Sequence, residues 1–220
     1  MIDIPPPEFA GLDPSKVVII RRRHLPHWRQ EDATYFVTFR LADSLPQDRV
    51  RELLADREAW HKAHPHPNDT DWTEYHRRAF TKLETWLHEG HGACCLTDDG
   101  NAAHVSGAMR HFDGTRCLLG CMVVMGNHVH AVVCPNGGCA LESLVQSIKR
   151  FSATQINRRL GRTGMSLWQE ELFDRIVRDT AHLRKAVRYV ERNALAIGRP
   201  ERFWIREDWR SWYYGAVDER

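Results

Sequence analysis

The chain has no apolar stretch long enough to cross a membrane: its longest, Cys117–Met125, is less than half of the roughly 20 residues that a spanning helix needs. It lacks a signal-peptide pattern, since MIDIPPPEF places an acid and a run of prolines where such a peptide carries a basic and then an apolar region. No two of its six cysteines (Cys94, Cys95, Cys117, Cys121, Cys134 and Cys139) stand in CxxC spacing. Neither a zinc ribbon nor a disulfide framework is therefore expected, and these residues read as small core side chains. There is no HExxH motif and no Walker-type loop, which removes the zincin and NTPase readings. Disorder is excluded by what is present: 8 Trp, 8 Phe and 5 Tyr in 220 residues with 42% hydrophobic content supply ample burial for one substantial core. A soluble, intracellular protein is expected.

The formal net charge of +2 conceals an uneven distribution. Residues 43–99 hold 12 Asp/Glu against 7 Lys/Arg, a net of −5, which leaves +7 on the remainder. Arg21, Arg22, Arg23 and Arg29 fall within RRRHLPHWR without an acid, and Lys149, Arg150, Arg158, Arg159 and Arg162 lie in an acid-free stretch over 143–169. Such blocks suit a surface that faces a nucleic-acid backbone, or they are solvated helix faces.

Along the chain, Pro5, Pro6 and Pro7 make residues 1–20 an extended arm. ATYFVTFRL (33–41) alternates as a half-buried strand. Residues 46–88 read as two helices broken at HPHPND (64–69), anchored by Trp60, Trp72, Phe80 and Trp86, within an acidic elaboration over 43–92. A helix around 98–112 starts at Asp98 or Asp99. CLLGCMVVM (117–125) and HVHAVVC (128–134) form a hairpin, with Gly126-Asn127 suited to a type II′ turn. An amphipathic helix covers 141–160, a short strand lies in 167–179, and a helix over 180–196 has Asp179 as N-cap and Gly198 beyond its end. This order predicts an α+β fold of ferredoxin-like type, an antiparallel sheet with helices on one face, in one domain over 1–220 with a Trp-rich tail at 199–220.

His128 and His130 are two apart on the returning strand, so both imidazoles share a face while Val129 and Ala131 point to the other. They are a ready pair of metal ligands with open positions for a substrate, or a polar strand face. On the 180–196 helix, Leu183, Val187, Val190 and Ala194 form the apolar stripe. Tyr189 lies on the adjoining flank, with Lys185 one turn before it and Asn193 one turn after. Tyr189 either packs with its hydroxyl at the rim or attacks a metal-bound phosphodiester, with the Asn193 amide oxygen as third ligand. A phenol of pKa near ~10 is a poor nucleophile, so a metal or a cation such as Lys185 must favour phenolate. Trp204, Trp209, Trp212 and Tyr213 can stack bases or form a strap on the core.

Together RRRHLPHW (21–28), ATYFVTFRLADSLP (33–46), MGNHVHAVV (125–133), SIKRFSATQINR (147–158), LWQEELFDRIVRD (167–179), RYVERNALAIG (188–198) and DWRSWYY (208–214) resemble the REP-associated tyrosine transposases. These are a branch of the single-tyrosine HUH nucleases. The resemblance implies that His128, His130 and Asn193 bind Mg²⁺ or Mn²⁺ and that Tyr189 is the nucleophile. It implies cleavage and rejoining of hairpin-forming single-stranded DNA from a palindromic repeat element, through a 5′-phosphotyrosine adduct. Arg21, Arg22, Arg23, Arg29, Lys149 and Arg150 would grip the phosphates. The expected protein is a monomer of the bacterial cytoplasm, associated with the nucleoid, with neither membrane nor nucleotide cofactor. A non-catalytic hairpin-binding protein of the same fold is the alternative. A zinc hydrolase using the two histidines would leave Tyr189 without a role. The chain departs from the family at Gly126 and Ala194, where proline is usual, and at Phe151, often tyrosine. Gly126 is expected to loosen the turn before the histidines, and Ala194 to let the tyrosine helix run on.

Overall fold

The computed structural model describes residues 4–22 and 26–215, the side chains of residues 20–22, 26 and 69 excepted. Strand β1 (Ile19–Arg22) pairs with β2 (Pro26–Arg29) in a small ribbon. The main sheet holds β3 (Tyr35–Arg40), β4 (Cys117–Val124), β5 (His128–Pro135), β6 (Phe173–Ile176) and β7 (Phe203–Ile205) in the order β6-β3-β5-β4-β7. Every pairing in it is antiparallel. The α+β class and the antiparallel sheet are those read from the sequence.

The helices flank both faces of the sheet, not one. Tyr35, Val37, Phe39 and Leu41 point to one side, where α3 (Asp99–His111) and α4 (Leu141–Arg159) cover them. Phe36, Val123, Val132 and Cys134 point to the other, against α5 (Thr180–Ala196) and α6 (Glu207–Gly215). The reason is the strand composition: β4 and β5 are buried along their whole length, so each face is apolar and each needs a cover.

The elaboration forms two helices, α1 (Gln47–Ala63) and α2 (Asp69–His88). Asn68 starts α2 with a capping box completed by Asp71. Trp60, Trp72 and Tyr75 make one small cluster where α1 meets α2, and Leu45, Trp86 and Leu87 make another. Phe80 reaches the sheet-side core beside Phe36 and Tyr189. Asp98 and Asp179 cap α3 and α5 as expected, and Gly198, at φ 66°, follows the end of α5.

Two local expectations change. Gly126 does not adopt the positive φ that a type II′ turn requires. Nor is the turn loose: Leu96 N–H donates to the Gly126 carbonyl, Leu41 N–H to that of Asn127, and Met125 N–H to that of His128. The C-terminal tryptophans form a strap, because Trp209 is fully buried, donates from Nε1 to the Pro7 carbonyl, and lies with Tyr213 in the core. Trp209 and Tyr213 therefore have no face to offer a base.

The strap meets β4 at a register shift between Leu119 and Cys121. A Cβ on the intervening Gly120 would sit 2.1 Å from Cζ3 of the buried Trp209 ring. Gly120→Ala is therefore expected to cost about 3 kcal/mol or more, lowering Tm by roughly 6–12 °C. An unchanged melting curve would show that the strap is not fixed against β4.

Candidate active site

The register of β3 against β5 sets Thr38 opposite His130 and Arg40 opposite His128. Both histidines are buried, on the face covered by α5 and by the C-terminal half of α2. Each imidazole is held through Nδ1. Asn127 donates its amide hydrogens to the carbonyls of Leu87 and His91, so its Oδ1 accepts from His128 Nδ1–H at 2.7 Å. Thr38 Oγ1 lies 2.8 Å from His130 Nδ1. Phe36 stacks on the His130 ring at 5.7 Å between centroids. With Nδ1 engaged, the two Nε2 atoms are left facing each other, 3.0 Å apart.

A third group completes the set, and the sequence reading missed it. Glu84, on α2, places Oε2 3.2 Å from His130 Nε2. Its other oxygen, Oε1, is buried without a hydrogen-bond partner among the described residues. One atom from each of Glu84, His128 and His130 lies within 4.8 Å of the other two. Two imidazole nitrogens fixed by their far sides and a carboxylate with an orphan oxygen fit a divalent ion. Burial raises the Glu84 pKa, but His130 and the Tyr189 hydroxyl outweigh it and hold the carboxyl below its ordinary value. Burial and the neighbouring His130 and His88 push the His128 pKa well down, which keeps its ring neutral and able to ligate.

Tyr189, half-buried on α5, donates its hydroxyl to Glu84 Oε2. Its ring meets His130 edge-on at 5.2 Å and Phe36 at 5.7 Å. Burial first, then the Glu84 charge, raise its pKa far above the ordinary phenol value. Lys185 is exposed, so the ionisable group that the fold brings to Tyr189 is Glu84 and not Lys185. A cation shared by Glu84 and the histidines reverses the sign of that influence, because the carboxylate charge is then balanced.

The Asn193 amide, the expected third ligand, is engaged within the protein. Its Oδ1 accepts from His88 Nε2 at 2.7 Å and its Nδ2 donates to the Tyr189 carbonyl at 2.9 Å. The amide oxygen is engaged by the last residue of α2, so the donor beside the histidine pair is Glu84. Sequence spacing could not show this, because Glu84 comes from a helix 44 residues before His128. Next to the site, a cavity of about 310 Å³ opens past His88 and His128 toward Arg199 and Arg202.

The expected phosphate-gripping residues separate. Arg29 is buried in ion pairs with Asp174 and Glu142. Lys149 Nζ donates to the carbonyls of Gln169 and Glu170 at 2.8 and 3.0 Å, and burial lowers its pKa to about 8. Both are committed to the fold. Arg150 is exposed. The side chains of Arg21 and Arg22, and Arg23 entirely, lie outside the described residues.

Residues 108–193 match the family model described as Transposase IS200 like. That segment is similar to the IS200-like transposases. The match includes His128, His130, Tyr189 and Asn193 and stops short of α2 and Glu84. No curated protein matches. A similar solved structure is titled "Structure of the REP associates tyrosine transposase bound to a REP hairpin"; it is 16% identical, with 82% of this chain and 75% of that one covered, at a TM-score of 0.46. Among the described residues, no helix is long and apolar enough to cross a membrane.

Two half-buried imidazoles give a pH dependence. Burial pushes His76 and His182 down to about 4 in each case, so both are neutral in the folded chain. An unfolded histidine titrates near ~6.5, so between pH 6.5 and 4 the unfolded state binds more protons and stability falls with pH. Asp174, held below its ordinary value by His27 and Arg29 against its burial, adds a loss only at lower pH. Tm is expected to decline steadily from pH 6.5 to 4, and His76→Gln to flatten the decline. A Tm that is constant over that range would contradict the neutral state of these rings.

Proposed function

We propose that the chain is a divalent-metal-dependent endonuclease and strand transferase for hairpin-forming single-stranded DNA, with Tyr189 as nucleophile. The supporting observation is the convergence of Tyr189, Glu84, His128 and His130 on one point, reached from α5, α2 and β5. Mg²⁺ or Mn²⁺ held by His128, His130 and Glu84 would supply positive charge against a non-bridging phosphate oxygen; two imidazoles favour Mn²⁺. Tyr189 presents its oxygen from the adjoining helix, with its proton directed at Glu84 Oε2. In cleavage the Tyr189 oxygen bonds to phosphorus and the bond to the 3′ oxygen breaks. The phenolic proton passes to Glu84 Oε2 and from there to the leaving 3′ oxygen, which departs as the 3′-hydroxyl. A second strand's 3′-hydroxyl reverses the exchange, and the phosphodiester energy is kept, so no nucleotide hydrolysis is needed. Arg150 and Arg21–Arg23 would hold the flanking phosphates.

The test is incubation of the full chain with a hairpin oligonucleotide bearing unpaired flanks, with Mn²⁺, followed by denaturing electrophoresis. A covalent protein–DNA band that a chelator abolishes is expected. Hairpin binding that survives the chelator, with no covalent band under any condition, would replace this reading with a non-catalytic hairpin binder.

A further inference from the structure

A second cavity, about 410 Å³, lies at the edge of the sheet where α2 passes β6. It is lined by Trp28, Trp72, His76, Arg175 and Arg178, among others. Neither Arg175 nor Arg178 has a side-chain hydrogen bond or ion pair among the described residues, whereas Arg199, Arg202 and Arg206 are all paired. Arg175 is half-buried, and its surroundings add a second guanidinium, Arg178, rather than an acid. Asp174 also lines the cavity, but its carboxylate is taken by His27 and Arg29. His76 Nε2 is buried with no hydrogen-bond partner among the described residues.

Two guanidiniums without a partner among the described residues call for an anion, the half-buried Trp28 indole offers an aromatic plane, and an orphan ring nitrogen offers a polar edge. We propose that this cavity binds one unpaired nucleotide of the DNA strand, its base against the half-buried Trp28 and its phosphate at Arg175 and Arg178. This rests on the single-strand DNA reading above. The placement suits it: His76 and Glu84 are eight residues apart on α2, about 12 Å along the helix axis, which is a few nucleotide steps. Helix α2 would then serve the strand twice, at the reacting phosphate and at a specificity pocket beside it.

The experiment compares a hairpin carrying unpaired flanks with the same hairpin blunt-ended, by fluorescence anisotropy at several salt concentrations. Arg175→Gln with Arg178→Gln is expected to weaken the flanked hairpin about tenfold, to reduce its salt slope by up to ~1.4, and to leave the blunt hairpin unchanged. A single abasic position in the flank should weaken wild-type binding about tenfold and the double variant hardly at all. This second measurement needs only wild-type protein to show a position-dependent loss, so it stands even if the variant is unstable. Equal weakening on both hairpins, or no abasic effect at any flank position, overturns the pocket while leaving the enzyme reading intact. Wild-type protein that binds neither hairpin overturns both. Tryptophan quenching by free adenosine monophosphate, with no preference for the flanked hairpin, would assign the cavity to a free nucleotide and overturn the strand assignment.

Discussion

Tyr189→Phe should bind hairpin DNA as the wild type does and form neither nicked product nor covalent adduct. The phenyl ring keeps the contacts with Phe36, Phe80 and His130. What is lost is the oxygen that would bond to phosphorus and the hydrogen bond to Glu84. Leaving that buried acceptor short of a donor costs about 1–2 kcal/mol, roughly 2–8 °C in Tm, which is small enough for the folded state to persist. Tyr35→Phe is the control, since among the described residues its hydroxyl serves only Gln30, and it should remain active. Adduct formation by Tyr189→Phe, or a peptide map placing the DNA on Tyr213 or Tyr214, would remove Tyr189 from the mechanism.

The second large effect separates the two candidate oxygen donors. Glu84→Gln preserves the shape of the side chain and removes its charge. It is expected to lower the cleavage rate at least ~100-fold and to weaken Mn²⁺ binding by calorimetry at least ~10-fold, as His128→Ala and His130→Ala should also do. Asn193→Ala is expected to keep most Mn²⁺ affinity, because its amide oxygen already serves His88. The reverse pattern, normal metal binding by Glu84→Gln and its loss in Asn193→Ala, would return the third position to Asn193.

This contrast marks how far the sequence reading reached. Local patterns were legible where one element carries the whole signal. The histidine pair needs only the two-residue repeat of a strand, and the relation of Tyr189 to its apolar stripe needs only the turn of a helix. The capped starts at Asp98 and Asp179 are likewise written in adjacent residues. What depended on two distant elements was not legible. Glu84 looks like one more acid on an acidic, solvated helix until α2 is seen to pass across β5. Arg29 and Lys149 look like free cations until Asp174 and the 169–171 carbonyls are placed beside them. The single-face expectation failed for a related reason. Strands buried on both sides are continuous apolar runs, and a run does not say how many layers cover it.

The tie between His88 and Asn193 bears on how such a chain could change over generations. Helix α2 contributes Glu84 and, through His88, occupies the Asn193 oxygen. A lineage that shed the helical hairpin over 46–92 would forfeit one oxygen donor and in the same event liberate another, one helical turn from Tyr189. The two donors would then be alternates, exchanged by a single deletion or insertion. In a set of aligned relatives, presence of the hairpin should then travel with the glutamate, and the asparagine should become free to vary wherever the hairpin is kept.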